Sequence, residues 1–242
     1  MRTWVKICGV TRVEDARVAF ECGADAIGLN FWPGSKRFCS VDRARAIVAA
    51  VGPGALVFGV FVRASRDEIA RTVNEVGLTG VQLHGEEPLA EAEGWDLPVI
   101  RAVGASSRAV VARALAEADV RPKAAYAAVE KDAAHAVEKE AAPAAVQKEA
   151  APAGASPRWS GHRLLLDNAS GGGSGVEVEA PLLEGFDLRG ALVAGGLTAD
   201  NVAAIVRRLS PFGVDTAGGV EASPGIKDAH RIEAFVREAR RG

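Results

Sequence analysis

The chain has 242 residues, 48% of them hydrophobic and 25% charged, with a formal net charge of -2; this allows one sizeable core and gives no electrostatic reason to expect nucleic acid or an acidic membrane as partner. No apolar run approaches the roughly 20 residues that span a bilayer, and no signal-like apolar stretch opens the sequence, so a soluble, cytoplasmic protein is expected. The three cysteines, Cys8, Cys22 and Cys39, form no CxxC pair, which argues against both a disulfide framework and a zinc site.

In chain order, short runs rich in Val, Ile and Leu alternate with helical stretches. The first run, 4–8, ends in KICG, and a helix pattern over 13–21 follows it. Runs at 26–31 and 56–61 flank a helix pattern over 41–51; another, over 67–76, leads to a run at 80–84. Runs at 98–103, 163–167, 191–194 and 212–215 complete the series, with a further helix pattern over 200–209. Continuous apolar strands separated by helices indicate a parallel sheet buried on both faces. Eight such units suggest an α/β fold closed as a (β/α)8 TIM barrel, a single domain over 1–242. Counting alone leaves an open doubly wound sheet as the alternative. A second regularity favours the barrel. Cys8, Asn30, Gln82, His84, Arg101, Asp167 and Asp215 fall towards the C-terminal ends of the runs, where barrel enzymes build their sites.

Residues 117–159 break the pattern. They are Ala, Glu, Lys and Pro with the near-repeats AVEKDAAH, AVEKEAAP and AVQKEAAP, and so little apolar bulk cannot offset chain entropy. The segment reads as a low-complexity, mostly disordered insertion between strands five and six, a surface expansion of the kind loops tolerate.

Glycine marks three late loops: SGGGSG at 170–175, Gly195-Gly196, and Gly218-Gly219. On a barrel, two such pairs after strands seven and eight make a phosphate cradle of backbone N–H groups, although tight turns need glycine as well. Lys6 and Cys8, two apart in the first run, share one strand face. A free cysteine is most often a small buried hydrophobe; a neighbouring cation, which lowers a thiol pKa from about 8.5, favours a reactive one. Asp167 ends the run LLLD, where a carboxylate needs a partner or solvent. Acid and base on strands one and six would reach a ligand from two directions. His84, in VQLHG, is either a base or a histidine bonded to backbone at a strand end. Arg37, in WPGSKRF, is expected on a βα loop, either in solvent or clamping an anion. Asp215 resembles Asp167 in placement and is expected to bind a hydroxyl. Nothing in the sequence reads as a metal cluster, a P-loop or a Rossmann fingerprint.

The stretches VKICGVT, GLNFWPGSKRF, GVFV, VQLHG, LLLDNASGGGSG, VAGGLTADNV and GVDTAGGVEASPGIKD occur in that order. In them the chain resembles phosphoribosylanthranilate isomerase, the tryptophan-pathway family that rearranges an aminoribose phosphate into its aminoketose. The resemblance runs from about Val5 to Asp228, outside the Ala-rich insertion. It implies an Amadori rearrangement of a phosphorylated aminosugar with no cofactor and no metal. It also implies Cys8 as general base, Asp167 as general acid, Arg37 at the anthranilate end, and Gly195, Gly196, Gly218 and Gly219 around the phosphate. His84 and Asp215 are expected to line the substrate, in a monomer or homodimer without nucleic-acid or membrane partner. That Lys6 lowers the Cys8 pKa is an inference from their shared face and not from the family. The chain departs from the family pattern in two places: Val178, Glu179 and Ala180 stand where Phe-Asp-Trp is usual, and Ala217 and Gly218 replace paired serines. A related phosphate-binding barrel, such as a sugar-phosphate epimerase or the aldose–ketose isomerase of histidine synthesis, would share the glycine loops but would normally carry aspartates or a metal in place of Cys8. A non-catalytic phosphometabolite binder would use Cys8 as core.

Overall fold

The computed structural model describes residues 2–85, 93–118, 162–168 and 176–242, which form one compact unit. The insertion expected at 117–159 lies outside the described residues except for its first two, and SGGGSG at 170–175 lies outside them too. Eight parallel strands close a barrel in sequence order: β1 (Trp4–Cys8), β2 (Ala26–Asn30), β3 (Leu56–Phe61), β4 (Gly80–Leu83), β5 (Val99–Gly104), β6 (His162–Asp167), β7 (Ala191–Val193) and β8 (Gly213–Thr216). Because β8 pairs back onto β1, Trp4 with Gly213 through Ile7 with Thr216, the sheet has no edge, and the open-sheet alternative falls away. The helices among the described residues are α1 (Val13–Glu21), α2 (Val41–Val51), α3 (Arg66–Val76), α4 (Arg108–Glu117), α5 (Ala180–Leu183), α6 (Val202–Leu209) and α7 (Ala229–Arg241). A 3-10 turn (Gly218–Val220) and a hairpin of β9 (Glu221–Ser223) and β10 (Ile226–Lys227) separate β8 from α7.

Alternate residues of each strand enter two separate apolar clusters. Trp4, Ala26, Phe58, Ile100, Ala102, Leu165 and Leu192 fill the inside of the barrel. Val5, Ile7, Ile27, Val57, Val81, Leu164 and Val214 face outward and pack with helix residues such as Ala16, Ile47, Ile69, Val206 and Phe235. Burial on both faces is why the strands read as unbroken apolar runs. Side-chain caps fix several helix starts: Ser65 and Glu68 form a capping box on α3, and Ser40, Ser107 and Asp228 cap α2, α4 and α7.

The inward row changes character along the barrel axis. At the N-terminal end Trp4 lies edge-on to Phe58 at 6.3 Å, and the Arg163 guanidinium sits 3.6 Å over the Phe212 ring. Towards the C-terminal end the same row carries Lys6, Gln82, Cys8, Asp215 and Asp167, most of them buried. Arg101 does not join this polar end. It is the third residue of β5, in register with Leu83 and Leu164 on the outward row, and its guanidinium lies 3.6 Å from Glu117 of α4.

Candidate active site

Lys6 and Cys8 project from β1 over Gly28 of β2. A Cβ at Gly28 would stand 2.8 Å from Cys8 Sγ and 3.2 Å from Lys6 Cε and Nζ, so the glycine is the gap both side chains need. Lys6 is fully buried, and its Nζ donates to Asp215 Oδ1 at 2.9 Å. Burial alone would push its pKa down; the Asp215 carboxylate outweighs burial and holds the ammonium above its ordinary value. The thiol behaves otherwise than the sequence suggests. Burial pushes Cys8 up, Lys6 pulls it down, Asp215 adds to the rise, Lys227 opposes it, and the thiol ends above its ordinary value. The cation is present at the expected spacing, but its charge is committed to Asp215, so it limits the rise without reversing it. Asp215, expected to meet a hydroxyl, has one oxygen engaged by Lys6.

Asp167 ends β6, separated from β1 round the barrel by β7 and β8, and is 4% exposed. Its Oδ1 accepts the Asn168 backbone N–H at 2.8 Å, and its Oδ2 lies 3.5 Å from His84 Nε2. Burial raises its pKa; His84 and the Asn168 N–H oppose that, and the carboxyl stays above the ordinary range. A proton donor needs a shift in that direction. The His84 backbone N–H donates to Phe61 O at 2.8 Å, but its ring meets side chains, with Nδ1 3.0 Å from Gln82 Nε2. A neutral ring that accepts the amide N–H at Nδ1 carries its own proton on Nε2, towards Asp167.

The glycine loops after β7 and β8 form one lip. Gly195 and Gly196 take φ of 99° and 60°, values that favour glycine. A Cβ at Gly219 would fall 1.9 Å from Leu197 O, and Thr216 Oγ1 donates to that same oxygen at 2.7 Å. The loop after β6 is tied to the lip as well: the Val178 N–H donates to Gly195 O at 3.1 Å. Val178 and Ala180, the departures from the aromatic family pattern, are both buried in the outer apolar cluster, so the loop keeps its hydrophobic anchor with smaller side chains.

Arg37 crosses from the loop after β2, packing so closely on Gly9 that a Cβ there would lie 2.3 Å from Arg37 Cδ. Its Nε and Nη2 donate to Glu221 Oε1 and Oε2 at 2.7 and 2.8 Å. Glu221 also accepts from Lys227 Nζ at 2.9 Å and the Gly225 N–H at 3.1 Å, while Lys227 Nζ donates to Ala217 O at 2.9 Å. Burial would raise the Glu221 pKa; Arg37 and then Lys227 outweigh it and hold the carboxyl below its ordinary range. At Gly218, where the family pattern has serine, a Cβ would come within 3.3 Å of Arg37 Nη2. Gln82 was read only as one of the polar residues at the strand ends, and Glu221, Lys227 and Gly28 were not among the sequence candidates, although Glu221 and Lys227 lie inside the GVDTAGGVEASPGIKD stretch.

Cys8, Asp167, His84, Asp215 and the paired glycines thus gather at the C-terminal mouth of the barrel, with Arg37 between the loops after β1 and β8. Among the described residues no group of three His, Cys, Asp or Glu is placed to hold a metal ion, and no helix is long and apolar enough to cross a membrane. A closed eight-stranded parallel barrel whose buried polar groups gather at the C-terminal mouth places the chain in the class of (β/α)8 barrel proteins, whose enzymes build their sites at that end.

Comparison with known proteins narrows that class to one family. The family model for N-(5'phosphoribosyl)anthranilate (PRA) isomerase matches residues 5–122 and 123–238. The chain is 39% identical over 244 residues to the N-(5'-phosphoribosyl)anthranilate isomerase of Myxococcus xanthus, covering 99% of this chain and 97% of that one. The crystal structure of phosphoribosyl anthranilate isomerase from Thermotoga maritima superposes with a TM-score of 0.74 at 32% identity, over 98% of each chain. A second solved structure, of phosphoribosyl anthranilate isomerase in complex with reduced 1-(o-carboxyphenylamino)-1-deoxyribulose 5-phosphate, gives 0.71 at 31% identity, again over 98% of each. The chain belongs to the phosphoribosylanthranilate isomerase family, the isomerases of tryptophan biosynthesis.

Proposed function

We propose that Asp167 and Cys8 are the acid and base with which the chain converts N-(5-phosphoribosyl)anthranilate to 1-(2-carboxyphenylamino)-1-deoxyribulose 5-phosphate. The observation that carries this reading is the Asp167 environment, a buried carboxyl with a raised pKa at the inward end of β6. Asp167 gives its proton to the ribose ring oxygen as the C1′–O bond breaks, leaving a Schiff base. The Cys8 thiolate then takes the C2′ proton, and the resulting enolamine tautomerises to the ketone, protonated at C1′. No atom is gained or lost in this sequence. Arg37 receives the anthranilate carboxylate. The phosphate lies against the lip of Gly195, Gly196, Gly218 and Gly219; with Ala217 and Gly218 lacking hydroxyls, backbone N–H groups carry that contact. His84 orients the Asp167 carboxyl, and the Asp215 oxygen not bonded to Lys6 takes a substrate hydroxyl. One barrel domain, monomeric or paired with its own copy in the cytoplasm, suffices for this chemistry.

The test is the decay of anthranilate fluorescence when purified protein meets freshly generated substrate. Cys8→Ala and Asp167→Asn should each lower kcat by about 10²–10⁴-fold with little change in KM. Losses below tenfold in both would remove these two groups from the reaction. Because the acid must keep its proton while the base is ionised, kcat should follow a bell-shaped pH profile whose alkaline limb lies at the raised Cys8 pKa, and a rate that keeps climbing through that range would remove Asp167 as the acid.

A further inference from the structure

A guanidinium presents two forks, Nε with Nη2 and Nη1 with Nη2, and either matches a carboxylate. In Arg37 the first fork is filled by Glu221. No described residue accepts from Nη1, so the second fork is open. The group sits between Gly9 and Gly218, in the loops after β1 and β8, with its side chain 13% exposed. Its anchor is rigid: Glu221 is buried, leaves β9 under a turn whose Gly225 N–H it binds, and is shared with the buried Lys227. Lys227 is itself fixed to Ala217 O. Two cations against one carboxylate leave one net positive charge beside the open fork.

We propose that Glu221 is a positioning residue, which grips Arg37 by its Nε/Nη2 edge and so presents the Nη1/Nη2 edge to the substrate's aryl carboxylate. It thereby sets the preference for an ortho-carboxylated arylamine over a plain one. The inference rests on the anthranilate-binding role given to Arg37 above. An arginine left to order itself on binding forfeits roughly tenfold to thirtyfold in affinity through lost side-chain entropy. Lys227 keeps Glu221 ionised without cancelling the charge offered to the ligand.

Two ligands test this by calorimetry: reduced 1-(2-carboxyphenylamino)-1-deoxyribulose 5-phosphate, and its phenyl counterpart without the carboxyl group. Glu221→Gln should weaken the first by about tenfold and the second by less than twofold, and in turnover should raise KM by the same factor with kcat within about threefold. Arg37→Met should abolish the preference between the ligands, and adding Glu221→Gln to it should cost nothing more. Equal weakening of both ligands by Glu221→Gln, or a full further loss in the Arg37→Met background, would overturn the proposal. An Arg37→Met protein that still prefers the carboxylated ligand as the parent does would instead remove the role of Arg37, and the inference with it. Should Glu221→Gln not fold, Glu221→Asp carries the test. It keeps the charge but draws the anchor back by one methylene, and a selective loss supports the proposal where an equal loss refutes it.

Discussion

Gly28→Ala probes the site through a residue that does no chemistry. The added methyl would stand 2.8 Å from Cys8 Sγ, about 1 Å inside the optimum separation of non-bonded heavy atoms. The backbone of β2 cannot retreat, because Gly28 is paired on both sides, with Cys8 of β1 and Phe58 of β3. The thiol must therefore turn away, while Lys6, already 3.2 Å from the same methyl, is held in place by Asp215. A misplacement of about 1 Å in a reacting group costs on the order of 10²-fold in rate, so kcat should fall by about that much. KM, which the proposed function assigns to Arg37 and the glycine lip, should stay within about threefold. Overpacking a well-filled interior costs about 1–3 kcal/mol, which for a chain of this length lowers Tm by roughly 2–12 °C. Fluorescence decay gives the kinetics and thermal melts give the stability. Repeating both melts in a Cys8→Ala background isolates the contact: with Sγ gone, most of the destabilisation should vanish, a non-additivity that a double-mutant cycle reads directly. An unchanged kcat, or the same fall in Tm in both backgrounds, would refute the placement of the thiol over Gly28.

Two further predictions concern the charged groups around that thiol. Lys6→Met leaves Asp215 buried without its cation and should cost about 3–5 kcal/mol in chemical denaturation. Since Lys6 restrains the Cys8 pKa, the alkaline limb of the kcat profile should move to higher pH in the variant, and an unmoved limb would dissociate Lys6 from the thiol. Asp167→Asn should raise Tm at neutral pH while lowering kcat by about 10²–10⁴-fold. The folded-state pKa of Asp167 is raised, so the wild type has its full stability below the unfolded value of about 3.9 and loses part of it as pH climbs through the folded value. The variant's advantage should therefore widen as pH rises from about 4 through the folded value, and a constant difference would mean that the carboxyl is not strained.

All eight strands were legible in the sequence to within one residue at each end, because burial on both faces leaves few polar residues inside the runs. The helix pattern read over 200–209 begins at Val202. The preceding turn is closed by the Thr198 N–H on Asn201 Oδ1 at 2.8 Å, and those polar residues read equally well as a first helical turn. Arg101 was read with the polar residues near the strand ends; it is the third residue of β5, and alternation with the inward Ile100 and Ala102 puts it on the outward row, a distinction that position along a run does not make. The net rise in the Cys8 pKa was not readable, since spacing reveals a neighbouring cation but not the burial that outweighs it or the carboxylate that occupies it. Glu221 and Lys227 were hidden for a similar reason. Charges among glycines read as a solvated turn until the fold brings Arg37, 184 positions earlier, against them.

Pairing distinguishes the charges that hold this barrel from the one assigned to donate a proton. The described residues contain five buried carboxyls: Asp15, Asp25, Asp167, Asp215 and Glu221. Asp15 lies 2.6 Å from Arg12, Asp25 2.7 Å from Arg240, Asp215 2.9 Å from Lys6, and Glu221 2.7 Å from Arg37. Each is compensated, and removing its cation would leave a buried charge that costs several kcal/mol. Asp167 alone has neither lysine nor arginine against it among the described residues; His84, at 3.5 Å, is its one ring neighbour. A fold selected only to stand would have placed a cation or an apolar residue there, since an uncompensated buried carboxyl either destabilises the barrel or keeps its proton. Keeping the proton is what ring opening requires of a general acid, and it explains why amide replacement of this one carboxyl should stabilise the protein while cutting its turnover.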